Sequence, residues 1–406
     1  MLKREFVRSQ FYFVLLTTVL VLSACVRFIP DAPTSSPSVL AEVPSRDVTG
    51  PSAGGIQIYF TDPTAVHATD YEGGPDEVLV AALDQARLSV DMAAYSLNLW
   101  SIRNALIKAH KRGVVVRLVM ESDDMDNQEV QQIKDAGIPI IGDQHQGLMH
   151  NKFIVMDRLD VWTGSMNYTT GGVYQDDNDL IHIRSIPVAQ NYSNEFNQMF
   201  TYHLFGPDKI AGTPNPKVSI DGIPVEIYFS PEDKAANRIL ELIRGAQTSV
   251  NFLAYSFTSH DIGAAIMERA QAGVVVKGVM DHGQVKSTKV TEYDPFRQAG
   301  LDVRLDGNLD GLMHHKVIII DQKIVITGSY NFTASAETTN DENVVIIFSP
   351  EVAVRYMEEF QRVYQQAGSR KRAIKVMAEK PFSCLIEEAI GDVNFLLLNN
   401  VVQATT

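Results

Sequence analysis

His314-His315-Lys316-Val317-Ile318-Ile319-Ile320-Asp321, closed by Gly328-Ser329-Tyr330-Asn331, has a twin upstream in His150-Asn151-Lys152, Asp157 and Gly164-Ser165-Met166-Asn167. Both copies read H-x-K-x(4)-D-x(6)-G-S-x-N. A spaced pattern of that length does not recur by chance. In each copy the histidine and lysine precede a β-branched run, Phe153-Ile154-Val155 or Val317-Ile318-Ile319. Such a run predicts a strand, on which residues two apart share a face, so imidazole and ammonium point the same way. Asp157 and Asp321 stand an odd step beyond their lysines. They are expected to face away or to sit in the turn that follows, as structural braces.

Two His-x-Lys units facing each other suit one chemistry. A phosphodiester is an anion that repels nucleophiles, and its alkoxide is a poor leaving group. Two lysines can neutralise the non-bridging oxygens. A neutral histidine can attack phosphorus while a second, protonated, gives its proton to the leaving oxygen. A metal centre is the weaker reading, because each lysine puts positive charge where a cation would sit. No cofactor is expected.

The paired motifs resemble those of the phospholipase D superfamily, and the resemblance runs from about Ile56 to Tyr364. It implies a covalent phosphohistidine intermediate, with His150 as nucleophile and His314 as general acid. It also implies a single-chain fold in which two similar halves meet at one site about a pseudo-two-fold axis.

The expected organisation follows the chain. Residues 1–24 read as a secretory signal: Lys3, Arg4 and Arg8, an apolar run from Phe11 to Val21, then Leu22-Ser23-Ala24-Cys25. The end resembles a bacterial lipobox, which implies lipid on Cys25 and a protein anchored to the cell envelope, facing outside the cytoplasm. A retained N-terminal anchor, or ordinary cleavage, is the alternative. Cys25 and Cys384 are the only cysteines, so lipid on one precludes an intramolecular disulfide. Residues 25–55, rich in Pro, Ser and Gly, read as a flexible tether.

Two repeats come next, expected at 56–206 and 225–366 with a linker at 207–224. Ala94-Tyr95-Ser96 matches Ala254-Tyr255-Ser256, and Gly147-Leu148-Met149-His150 matches Gly311-Leu312-Met313-His314. Within each unit, apolar-periodic helices (Glu77 to Ala86, Leu99 to Lys111; Ala235 to Gly245, Asp261 to Ala272) alternate with buried-looking strands. This predicts an α/β layered sandwich with mostly parallel or mixed sheets. Residues 367–406, with a basic cluster from Arg370 to Lys375 and an apolar one at Phe395-Leu396-Leu397-Leu398, are expected to add a terminal helix or strand of unassigned role.

Ser165, Asn167, Ser329 and Asn331 recur at fixed distances from the histidines. They are expected to bind phosphate oxygens or to orient the imidazoles. Gly164 and Gly328 suit backbone freedom or close approach. Glu342 lies thirteen positions after Ser329, where nuclease-like members of the superfamily carry a glutamate that holds a catalytic histidine. The equivalent after Ser165 is Asn178, with Asp177 or Asp179 as substitutes. The two histidines should therefore differ in basicity. His145 and His315 are expected to pack or face solvent.

The net charge is −14, or −16 without residues 1–24, which carry +2. An acidic surface disfavours nucleic acid, whose binding relies on basic patches. A lipid tether would hold the enzyme beside a bilayer. The first expectation is thus a phospholipase D releasing phosphatidic acid and a head group. A tethered endonuclease using the same histidines is the alternative. Leu97, Leu99 and Trp100 either begin a core helix or form an apolar rim for lipid. No obligate protein partner is evident.

Overall fold

The structure, a computed structural model, describes residues 55–379. The expected signal with Cys25, nearly all of the tether, Cys384 and the apolar stretch at 395–398 lie outside the described residues.

The first half runs β1 (Ile56–Phe60), α1 (Pro75–Gln85), β2 (Ser89–Ala94), α2 (Trp100–Lys111), β3 (Val115–Met120), α3 (Gln128–Asp135), β4 (Ile140–Gly142), β5 (Lys152–Met156), β6 (Asp160–Gly164), α4 (Thr170–Tyr174), β7 (Asp179–Arg184) and α5 (Ile186–Phe200). The second runs β8 (Lys217–Ile220), β9 (Ile223–Ser230), α6 (Ala235–Arg244), β10 (Ser249–Ala254), α7 (His260–Gln271), β11 (Val275–Met280), α8 (His282–Ser287), α9 (Tyr293–Gln298), β12 (Asp302–Leu305), β13 (Lys316–Ile320), β14 (Ile324–Gly328), α10 (Ala334–Thr338), β15 (Glu342–Phe348) and α11 (Pro350–Glu379). The strands form a seven-stranded sheet, β1-β7-β6-β5-β2-β3-β4, and an eight-stranded one, β12-β11-β10-β13-β14-β15-β9-β8.

Both sheets are mixed. In each, only the β2-β3-β4 ladder or its equivalent, β10-β11-β12, is parallel; all other neighbours are antiparallel. Of the two arrangements expected, mostly parallel or mixed, the sheets take the mixed one, because the motif strands return as antiparallel hairpins. The expected linker also holds regular structure, since Lys217–Ile220 is the edge strand β8, paired with β9. α11 passes without a break through residue 367, where a separate tail was expected.

Strand alternation builds the core. Phe153 and Val155 of β5, with Val317 and Ile319 of β13, enter a central cluster shared by both halves, together with Tyr192 and Phe196 of α5 and Tyr356 and Phe360 of α11. Ile154 and Met156 face the outer core of the first half, and Ile318 and Ile320 that of the second. Truncating one of these side chains to alanine costs about 2–5 kcal/mol. Because the shared cluster is continuous, packing it fixes the two motif edges against each other.

Candidate active site

Each lysine opens a strand, and each histidine sits just before it. Lys152 pairs opposite Ala94 at the end of β2, and Lys316 opposite Ala254 at the end of β10. Both histidines therefore lie at the edge where β2, β3, β10 and β11 end. The segment ahead of each histidine crosses to the other half. The His150 N–H donates to Asp341 O at 3.1 Å, and Asp341 N–H to Leu148 O at 2.8 Å. In the same manner His314 N–H donates to Asp177 O at 2.9 Å, and Asp177 N–H to Leu312 O at 2.7 Å.

This exchange delivers each histidine's support from the opposite repeat. His150 Nδ1 lies 2.8 Å from Glu342 Oε2, and His314 Nδ1 lies 2.8 Å from Asn178 Oδ1. Asn178 Nδ2 donates to Gly172 O at 2.9 Å, which fixes the amide so that its oxygen faces His314. His314 must then carry its proton on Nδ1, leaving Nε2 toward the site. Asn178 itself fills this role, so neither neighbouring aspartate substitutes for it. Asp177 pairs with Arg362, and Asp179 accepts from Thr327 Oγ1 and Tyr356 Oη, each at 2.7 Å.

The motif serines orient this support. Ser165 Oγ donates to Asn178 Oδ1 at 2.8 Å and accepts from Asp179 N–H at 3.0 Å; Ser329 Oγ accepts from Asn343 N–H at 3.0 Å. Gly164 and Gly328 have φ of 142° and 137°, and a Cβ would stand 2.4 Å from Asp179 O and 2.2 Å from Asn343 O. Both the conformation and the close approach require glycine there. Asn167 and Asn331 each leave their amide oxygen buried and unpartnered. Asp157 and Asp321 lie in the turns after their strands, at φ 54° and 53°. Their carboxylates accept backbone N–H groups of Arg87, Leu88 and Ser89, and of Gln247, Thr248 and Ser249.

Lys152 Nζ donates to His150 O at 2.6 Å and Lys316 Nζ to His314 O at 2.7 Å. Burial, then the charges of both lysines, hold His150 and His314 well below the usual histidine range. The two repeats thus share one electrostatic site, with neutral imidazoles between ammonium groups. Burial pulls Lys152 well down and Lys316 down to about 7, and pushes Glu342 up to about 7. A phosphoryl anion between the lysines would supply the counter-charge that keeps them protonated.

His315 points the other way and is fully buried, with Nε2 3.0 Å from Glu359 Oε1 and Nδ1 3.7 Å from Asp179 Oδ1. Burial pulls its pKa down, but the nearby Asp179 carboxylate and the hydrogen bond to Glu359 outweigh burial and raise it to about 9. His145 is partly buried and bonds Asp143 at 2.9 Å. Leu97 and Leu99 are core residues, whereas Trp100 at the start of α2 is 53% exposed. The sequence reading did not single out Tyr95 and Tyr255 as site residues, although the repeated Ala-Tyr-Ser carried the signal. Their rings lie 4.8 and 4.6 Å from His150 and His314.

A family profile described as "Cardiolipin synthase, PLD-like domain" matches residues 79–200 and 239–364. The chain belongs to the phospholipase D superfamily. This phospholipase D-like chain is 36% identical over 156 residues to a protein named phospholipase D from Rickettsia bellii, covering 37% of this chain and 77% of that protein. It is 33% identical over 150 residues to mouse mitochondrial cardiolipin hydrolase, covering 37% of this chain and 66% of that protein. Each match is about one repeat long. Phosphatidylserine synthase from Haemophilus influenzae has the same fold, with TM-score 0.57 and 12% identity over 78% of this chain and 86% of that one. With both motifs intact, this superfamily member is a phosphodiester hydrolase.

Proposed function

We propose that this chain hydrolyses a phospholipid to phosphatidic acid and its free head group through a phosphohistidine on His150. The observation that carries the reading is the crossed support of the histidines, a carboxylate on His150 and an amide on His314. A carboxylate accepting from Nδ1–H makes the far nitrogen more basic and more nucleophilic; an amide leaves an imidazolium the better acid.

His150 Nε2 attacks phosphorus, the bond to the leaving oxygen breaks, and His314, made an imidazolium when the phosphodiester anion binds, gives its Nε2 proton to that oxygen. Water then attacks the phosphohistidine, His314 takes its proton, and the P–N bond breaks to return His150. Lys152 and Lys316 offset the charge on the non-bridging oxygens. Turned over, the free amide ends of Asn167 and Asn331 donate to the same oxygens.

Charge supports lipid over nucleic acid. The loops of the first half at the histidine edge, residues 61–74, 95–99, 121–127, 143–151 and 165–178, hold Asp62, Asp70, Glu72, Asp123, Asp124 and Asp126 but no lysine or arginine. That half of the edge repels a polyanion. The names of the relatives, phospholipase D and cardiolipin hydrolase, agree with a lipid substrate. In the same reading, lipid on Cys25 ties the exported enzyme to the bacterial envelope beside its substrate.

The test offers phosphatidylcholine vesicles and single-stranded DNA to the full-length protein in detergent and chelator, with His314→Ala as the blank. Choline release with DNA intact is the expected result. Cleaved DNA with lipid untouched would replace the phospholipase by a nuclease.

A further inference from the structure

A buried ammonium group needs compensation, and the usual compensation is a carboxylate at bonding distance. Among the described residues neither Lys152 nor Lys316 has an ion-pair partner within 4.0 Å. Each donates one hydrogen bond, to the carbonyl of its own motif histidine. What lies against each ammonium instead is an aromatic face. Lys152 Nζ sits 4.7 Å from the centroid of the Tyr95 ring, and Lys316 Nζ sits 4.8 Å from that of Tyr255. The same rings pack against the histidines in a tilted, T-shaped arrangement, at interplanar angles of 65° and 61°. The backbone fixes both tyrosines in register, since Tyr95 N–H donates to Asn151 O at 3.1 Å and Tyr255 N–H to His315 O at 2.8 Å. The arrangement occurs twice, built from residues 160 positions apart.

We infer that Tyr95 and Tyr255 are positioning residues for phosphodiester cleavage, each holding its lysine charged and aimed by its ring face while packing against its histidine. The inference rests on the two-lysine reading of the site. A ring face attracts a cation through its quadrupole and presents no lone pair to the ammonium hydrogens. An ammonium has three N–H donors. One goes to the histidine carbonyl, and the ring leaves the other two for phosphoryl oxygens. A carboxylate in the ring's place would take those donors and cancel the charge. Other charges reach the lysines only from further away: Glu342, Lys316 and Glu121 act on Lys152, and Glu342, Asp179, Asp176 and Asp281 on Lys316. The hydroxyls are secondary, and that of Tyr255 accepts from Gln284 Nε2 at 3.0 Å.

The experiment follows the pH–rate profile of the full-length protein on bis(4-nitrophenyl) phosphate, for Tyr95→Phe, Tyr95→Leu and the same pair at Tyr255, with melting temperatures alongside. Phenylalanine keeps the ring and retains most of the turnover. Leucine lowers kcat about tenfold and moves the alkaline limb down by about one pH unit, because losing the ring face disfavours the ammonium form. An alkaline limb unmoved in both folded leucine variants would overturn the inference. So would phenylalanine variants as impaired as the leucine ones. Should one leucine variant fail to fold, the other half's variant decides. Substantial hydrolysis by His314→Ala would instead remove the underlying site reading.

Discussion

Glu342, in the second repeat, accepts the Nδ1 proton of His150, in the first, at 2.8 Å, whereas the residue at the same place in the other half is the neutral Asn178. Replacing Glu342 by Gln keeps a hydrogen-bond acceptor and removes the charge. The expected result is a fall of about 10²-fold in the single-turnover rate of enzyme phosphorylation, with the melting temperature little changed. Asn178→Asp does the converse. A carboxylate on His314 raises its pKa, so the pH limb assigned to that histidine moves upward. Rapid-quench pH profiles of the two variants check both statements.

Behind the supports lie two matched layers. Asn343 is held by Thr163 and Asn151, and Asn151 by Glu195; Asp179 is held by Thr327 and Tyr356 and faces His315, which bonds Glu359. The second layer centres on a histidine between two carboxylates, whereas in the first Glu195 pairs with Lys209. His315 has a folded pKa raised to about 9 against about 6.5 unfolded. Its stabilisation, on the order of 3 kcal/mol at most, is full below pH 6.5 and is lost as pH rises through 9. Melting temperature should therefore fall between pH 7 and pH 10. His315→Asn combined with Asp179→Asn, which copies the first layer, should flatten that fall. A wild-type curve already flat over this range would refute the charged pair.

Much of this was legible from one number. The offset of 164 that relates His150 to His314 also relates Asn178 to Glu342, Asn151 to His315, Asn343 to Asp179, and Glu195 to Glu359. Strand alternation and the lysine step gave the paired motifs and the braces, because those depend on a few neighbouring residues. Two things were not legible. Which repeat supports which histidine depends on the bridges from Met149 to Asp341 and from Asp177 to Met313, and no local pattern encodes contacts between halves. The extent of antiparallel pairing was also not legible, because β13 to β15 are buried on both faces and their apolar runs read like parallel strands.

The braces should separate stability from chemistry. Asp157 accepts backbone N–H groups from Arg87, Leu88 and Ser89, at the end of β2 remote from Lys152. Asp157→Ala strips those donors of their acceptor, at about 1–3 kcal/mol. The melting temperature should drop, with kcat near wild type well below it. Loss of kcat at an unchanged melting temperature would instead put the carboxylate in the reaction. Asp321→Ala should behave alike.

The division of labour between the histidines predicts what each deletion leaves behind. A 4-nitrophenyl leaving group departs without a proton, so His314→Ala should still phosphorylate His150. It should then stall, because no base activates the water that attacks the phosphohistidine. Quenched at high pH, where a phosphoramidate survives, this variant should carry one phosphoryl adduct on the peptide holding His150. His150→Ala should carry none and show no burst of nitrophenol. If the adduct forms on His314 in the His150→Ala protein instead, the roles are exchanged, and the carboxylate of Glu342 serves the acid rather than the nucleophile.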